Sequence, residues 1–327
     1  MTDGAWGRVL ALAGHEYRSA ARSRVLVLLI ASMVLLAAGS ITIAAYDFRA
    51  ELADYRDYVR DAAAAGATVA GAPQLFPLQL LRADVEYIQI IGAVLAIGLG
   101  YLSVARERTG NTLRLILTRP VRRREVLAGR VLGATAVLGA VLAAAAAVSI
   151  VLIGIVGGQW LNGGELVRVL IAFAFALVYM LLFYALGAWL AARSRTLANG
   201  LVVALVVWLS VVLIVPQIGD TMDPDNQVPG GLFAALNVDK ADEHRILDSF
   251  STYEKIRNTI EETSLTKHFE RFTFAVTGVK ESFNGRSLGV IVDAKRNDLI
   301  WMAVYSVLMA GLLWTGLRRE SVTREDS

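Results

Sequence analysis

Residues 131–156 read Val131-Leu-Gly-Ala-Thr-Ala-Val-Leu-Gly-Ala-Val-Leu-Ala-Ala-Ala-Ala-Ala-Val-Ser-Ile-Val-Leu-Ile-Gly-Ile-Val156, without one Asp, Glu, Lys or Arg. A bilayer core of about 30 Å needs about 20 apolar residues in a helix that rises about 1.5 Å per residue. This stretch exceeds that length, and it decides the fold class. Five more stretches meet the same requirement with no ionisable residue, at approximately 25–46, 87–105, 169–192, 197–216 and 299–317. Basic residues precede the first, as they precede a secretory signal. Its 22-residue apolar core is far longer than the roughly 7–15 of a signal peptide, so it reads as a retained span. The expectation is an all-α integral membrane protein with six transmembrane helices.

Composition agrees. Of 327 residues, 56% are hydrophobic and 19% charged, and mean hydropathy is +0.54. Soluble domains average roughly 45–50% apolar with Gly included and about 25% charged. A soluble enzyme and a disordered chain are both excluded. Zero cysteines exclude a disulfide framework, a thiolate metal site and a Cys nucleophile. Three histidines (His15, His244, His268) are too few for a His-rich metal site.

Orientation follows from basic residues near the span ends. Residues 1–24, 105–130, 193–196 and the tail after 317 carry seventeen arginines, eight of them in 105–130. The alternate loops are acidic: 47–84 has four Arg against six Asp or Glu, and 217–297 has ten Lys or Arg against thirteen acids. Both termini are therefore expected in the cytoplasm, with the two long loops outside. All five lysines (Lys240, Lys255, Lys267, Lys280, Lys295) fall in 217–297, which marks a separately solvated, extracytoplasmic region. Its residues Ile246, Phe250, Tyr253, Ile256 and Ile260 recur at helical spacing, followed by Phe269 and Phe272, and predict a helical cap. The turn at Asp223-Pro224-Asp225-Asn226 lacks the Gly and distal Glu of a calcium loop.

Residues 1–24 form a different kind of helix. Trp6, Val9, Leu10, Ala13, Tyr17, Ala20 and Ala21 share one side, and Arg8, His15, Arg18, Ser19 and Arg22 the other, with Leu12 the exception. This is the pattern of a helix lying in the membrane interface, and there is little soluble protein for it to pack against.

The spans hold no ionisable residue to bind a coupling ion; the nearest are Glu86, Arg168 and Asp298 at span ends. An ion-coupled carrier is disfavoured, and so is intramembrane hydrolysis. Gly129 and Gly133, with Gly139 and the Ala143–Ala147 run, form a small-residue face suited to close helix packing. No phosphate-cradling Gly-x-x-x-x-Gly-Lys-Ser/Thr occurs, so the chain is expected to bind neither ATP through that motif nor any other cofactor, and not to be an enzyme itself. Nucleic acid is not an expected partner. The energy must come from elsewhere.

The segment between the second and third spans indicates where. It reads Arg106-Glu-Arg-Thr-Gly-Asn-Thr-Leu-Arg-Leu-Ile-Leu-Thr-Arg-Pro120-Val-Arg-Arg-Arg-Glu-Val-Leu-Ala-Gly-Arg130. Gly110-Asn111 breaks the preceding helix, and Asn111 can cap a new one. Leu113, Ile116 and Leu117 then line one face of a helix of about two turns, which Pro120 ends. A short apolar-faced helix flanked by arginines fits a groove on a cytoplasmic partner.

This segment resembles the coupling region of the permease subunits of type-2 ABC exporters, which commonly reads E-R-x-x-G-T-L-x-L-L-L-x-x-P-V-x-R and then G-K. Glu107, Arg108, Thr112, Leu113, Leu115, Leu117, Pro120, Val121, Arg123 and Gly129 fall on that pattern. Asn111 replaces the usual Gly with Gly110 before it, Ile116 replaces Leu, and Arg130 replaces Lys. Asn ranks second to Gly in tolerating the left-handed conformation, so the turn should survive. The resemblance implies a prokaryotic cell-membrane permease whose coupling helix docks on a separate cytoplasmic ATPase that binds the ATP, paired with a second permease copy. The long outer loops look most like the permeases of nitrous-oxide-reductase maturation and of gliding motility. The alternative reading is a mechanical or assembly subunit that acts on an extracytoplasmic partner protein through 217–297 without moving a solute. The parts expected are thus 1–24 interfacial helix, 25–216 five spans with the coupling segment 105–130, 217–297 outer loop, and 298–327 sixth span and tail.

Overall fold

The computed structural model describes residues 3–64, 76–109, 122–158, 160–222, 262–279 and 283–322, with single positions at 236, 238, 242, 255 and 259. Every regular element among them is helical, and six helices are long and apolar enough to cross a membrane. The chain is an all-α integral membrane protein.

Helix α1 (Asp3–Ala21) leads into α2 (Arg24–Ala64). At 41 residues α2 is about 60 Å long, twice a bilayer core. The apolar pattern stops at residue 46, but the helix does not. Residues 47–64 contain neither Gly nor Pro and are rich in Ala, Arg and Asp, so nothing breaks the backbone ladder.

The second span also begins earlier than its apolar stretch. A 3₁₀ turn at Pro77–Leu81 leads into α3 (Arg82–Tyr87), a π-turn at Ile88–Gly92 and α4 (Ala93–Thr109). The expectation of spans without ionisable residues is thereby corrected: Asp84 lies inside the candidate span Pro77–Arg106 and is buried. A π-turn disturbs the regular bonding ladder. Here the Gln89 carbonyl accepts from the Tyr179 hydroxyl at 2.9 Å.

The third span is α5 (Arg123–Ile155), and α6 (Gly163–Arg193) is the fourth. Asn162 and Glu165 cap the start of α6 reciprocally, with bonds of 2.9 and 2.7 Å. α6 is the centre of the bundle, packed against α4, α5, α7 (Leu197–Trp208), α9 (Leu265–Thr277) and α11 (Arg296–Val322). Its crossing with α4 is close because each helix contributes a glycine. A Cβ on Gly100 would lie against the Tyr184 carbonyl, and one on Gly187 against the Ile97 carbonyl. The fifth span continues from α7 through a π-turn at Leu209–Ile214 into α8 (Val215–Met222). There the Val211 carbonyl accepts from Thr266 Oγ1 at 3.2 Å.

The stripe Ile246, Phe250, Tyr253, Ile256 and Ile260 and the turn at 223–226 lie outside the described residues. The end of that region is described. α9 is buried on nearly every side, with Ser264 accepting from the Lys267 amide at its start and Gly278, at φ 71°, ending it. Phe269 stacks on Tyr179 at 4.4 Å and Phe272 meets Phe175 at 4.4 Å, so α9 is wedged against α6 rather than resting on the surface. The short α10 (Leu288–Ala294) then leads into α11.

Candidate functional site

The segment with the sequence motif enters and leaves the bundle at the end where α1 lies. Gly110, Asn111, Thr112, Leu113, Leu115, Ile116, Leu117 and Pro120 fall outside the described residues. Glu107 lies in the last turn of α4 and Arg123 opens α5. Arg108 and Gly129 are described in full. What the structure supplies is the frame that holds the segment at both ends.

On the α4 side, Arg108 reaches across to the end of α6. Its guanidinium donates to the Ala191 carbonyl at 2.8 Å, the Ser194 carbonyl at 2.9 Å and the Arg195 carbonyl at 3.3 Å. The last carbonyls of a helix have no intrahelical partner, and a cation there also complements the helix dipole. Arg108 therefore joins the exit of the second span to the turn between the fourth and fifth.

On the α5 side, Glu125 accepts two bonds from Arg8 of α1, at 2.9 Å from Nε and 2.8 Å from Nη2. It also accepts from the Arg122 backbone amide at 3.3 Å, which caps α5. The Glu125 carboxylate is buried, while Arg8 keeps 43% of its side-chain surface exposed. The bonds it donates to Glu125 raise the Arg8 guanidinium above its ordinary pKa. A fork-to-fork pair of this kind fixes orientation as well as distance.

α1 then runs along α5. A Cβ on Gly129 would sit 2.6 Å from Leu12 Cβ, and one on Gly133 2.6 Å from Glu16 Cβ. The Gly129–Gly133 face, expected to pack helix on helix, finds its partner in α1. The reading of α1 as an interfacial helix with little soluble protein to pack against is thereby qualified: one face packs on the end of α5. Leu12, which broke the amphipathic pattern, belongs to the face turned to α5. Ser103 on α4 donates to Glu16 Oε1 at 3.3 Å, and Arg106 donates to Ser19 Oγ. Trp6, Leu10 and Tyr17 remain exposed, at 51%, 62% and 44%, as an apolar stripe on the outward side.

Sequence reasoning missed Arg8, Glu16, Ser19, Ser103 and Arg106 as tethers. Only Glu125 left a local signal, as an acid in the first turn of a helix. The other pairings span 87 to 117 residues, and no local pattern announces them.

At the opposite end of the bundle, His268 of α9 faces Asp298 of α11, with Nδ1 2.7 Å from Oδ1. Its Nε2 lies 2.7 Å from the Glu262 carbonyl, and Lys295 approaches Asp298 at 3.7 Å. Trp301 stacks beside the imidazole at 5.8 Å. The Arg168 guanidinium donates to the Val276 carbonyl at 3.3 Å and to the Arg286 carbonyl. These contacts tie α9 and the segment after it to the fourth and sixth spans.

Residues 10–313 match the family described as ABC-2 family transporter protein. No curated protein matches the chain. The match covers nearly the whole sequence, and the chain belongs to that family: it is the membrane component, a permease subunit, of an ABC transporter. Membership implies a cytoplasmic ABC ATPase partner and places the chain in the membrane as a multi-pass protein, not as the catalytic enzyme.

Proposed function

From that membership we propose that the chain is an export permease driven by a separate ATPase, with residues 111–118 of the coupling segment 105–130 as the docking element. The observation that carries the reading is the frame around this segment. One end is fastened to the end of α6 through Arg108, and the other to α1 through Glu125 and Arg8. A push on a short segment held this way reaches three membrane helices and α1 together. Leu113, Ile116 and Leu117 supply the apolar face for the groove, and the arginine-rich flanks place it on the cytoplasmic side with both termini. The exposed stripe Trp6, Leu10 and Tyr17 is suited to the interface of the cytoplasmic leaflet of a prokaryotic cell membrane.

A second permease copy completes the path, and the ATPase alone binds the nucleotide, so this chain needs no cofactor of its own. Within the family the long outer regions favour the nitrous-oxide-reductase-maturation and gliding-motility permeases; in the alternative reading the chain acts on an extracytoplasmic partner through 217–297 without moving a solute. The test is copurification. Leu113→Asp or Leu117→Asp places a charge in an apolar groove, where it is desolvated without a partner. Either variant should insert normally and lose the ATPase. Wild-type yields of ATPase with both would refute the docking assignment.

A further inference from the structure

Asp84, at the start of the second span, is not used by the docking frame. It is 2% exposed, and its polar contact is Ser149 of α5, whose Oγ is hydrogen-bonded to Asp84 Oδ2. The same Oγ lies 2.9 Å from the Ala145 carbonyl oxygen, one helical turn back. Asp84 Oδ1 is buried with no hydrogen-bond partner among the described residues.

A proton inventory decides the state of this contact. Serine has one hydroxyl proton, and here two oxygen acceptors face it. A serine within a helix commonly gives that proton to the carbonyl four residues earlier. With that proton on the Ala145 carbonyl, the bond between Ser149 Oγ and Oδ2 takes its proton from Asp84.

The charges nearby do not offer an alternative. α5 has no ionisable side chain from Val131 to Ile155. On α3 itself, Arg82 and Glu86 pair with each other at 3.0 Å on the surface. The charged side chains described on α2 are exposed. On α9, Lys267 approaches Glu270 at 3.7 Å and His268 faces Asp298, while Arg271 is half-buried. No ion pair to Asp84 occurs among the described residues, and an ionised carboxylate between apolar helices is strongly disfavoured without one.

We propose that Asp84 is a proton-binding site, a neutral acid that donates to Ser149 Oγ while Ser149 donates to the Ala145 carbonyl. Losing the proton strands a carboxylate between α3 and α5. Proton occupancy and closure of the second span on the third therefore favour each other, at the end of the bundle away from α1. The site is independent of how the ATPase docks.

The full-length chain in lipid nanodiscs provides the test. At neutral pH its infrared spectrum should contain the carbonyl band of a protonated carboxylic acid. That band should vanish in Asp84→Asn, whose amide can donate to Ser149 as the acid does. In Ser149→Ala it should move to higher frequency, because the acid loses its acceptor. If Asp84→Asn fails to fold, the shift in Ser149→Ala carries the test alone. Absence of the band at neutral pH, or a band unchanged by Ser149→Ala, overturns the proposal. At alkaline pH, amides of residues 80–90 and 144–150 should exchange several-fold faster in the wild type than in Asp84→Asn at the same pH. Equal protection in the two contradicts the link to closure.

Discussion

Two accessory helices, α1 at one end of the bundle and α9 at the other, are held by different physics. α1 lies on two glycines of α5, with ties that include the Arg8–Glu125 pair and the Ser103–Glu16 and Arg106–Ser19 contacts, and leaves an apolar stripe uncovered. α9 is buried almost all round, with Phe269 stacked on Tyr179 and Phe272 tilted against Phe175, and is pinned to α11 by His268 and Asp298. The α1 seat is set by close backbone approach at Gly129 and Gly133 and by polar pairs, with little apolar interlocking of large side chains. A wedge of stacked rings cannot shift without opening a cavity in a close-packed core. On the proposed docking, motion delivered by an ATPase would reach α1 first, and the α9 end would yield only when the bundle as a whole rearranges.

The largest expected effect lies at the wedge. Phe269→Ala removes the ring between Tyr179 and Phe175 and should destabilise the protein by about 3 kcal/mol, read from reversible denaturation in detergent. A loss within experimental error would make α9 a peripheral helix and remove the contrast. Next comes the groove. Gly133→Leu places a side chain where Glu16 now lies and should lift α1 from α5 while the spans stay folded. A disulfide between Arg8→Cys and Glu125→Cys, in a chain with no other cysteine, should form when Gly133 is retained and fail to form when Gly133→Leu is added. Equal disulfide yields would show that the glycine is not what admits α1. The smallest effect belongs to the ion pair. Glu125→Gln keeps the shape, and because Arg8 is well exposed, its modest loss in melting temperature should shrink further at high salt. A salt-independent loss larger than that of Gly133→Leu would reverse the ranking of groove and charge.

The same contrast explains what the sequence disclosed. The spans were legible because hydrocarbon requires long uncharged runs, and each of the six runs lies within a candidate span apart from the first few residues of the first and one residue at the end of the third and sixth. Gly129 and Gly133 announced a close helix contact, since small residues at that spacing have few other uses in a span. They did not name α1, because a groove records the backbone it admits and not its sequence. Asp84 escaped because a test for apolar runs stops at the first charge, and only the fold shows that the helix continues past it. The extension of α2 was missed for the same reason, as its polar residues 47–64 satisfy helix propensity but not hydropathy. The π-turns at 88–92 and 209–214 leave no trace in a periodicity of 3.6. They become visible only where Tyr179 and Thr266 reach the Gln89 and Val211 carbonyls. Arg108 sits on the family's motif pattern, and the fold shows it capping α6.

In the proposed coupling an ATPase grips residues 111–118 and moves the α1 end of the bundle. Because the chain has no cysteine, a single one at Leu117 or at Ser251 can carry a short photoactivatable cross-linker in native membranes. An adduct should form between the Leu117 position and an ATPase subunit, and none from Ser251. An ATPase adduct from Ser251, with none from Leu117, would contradict both the docking site and the orientation.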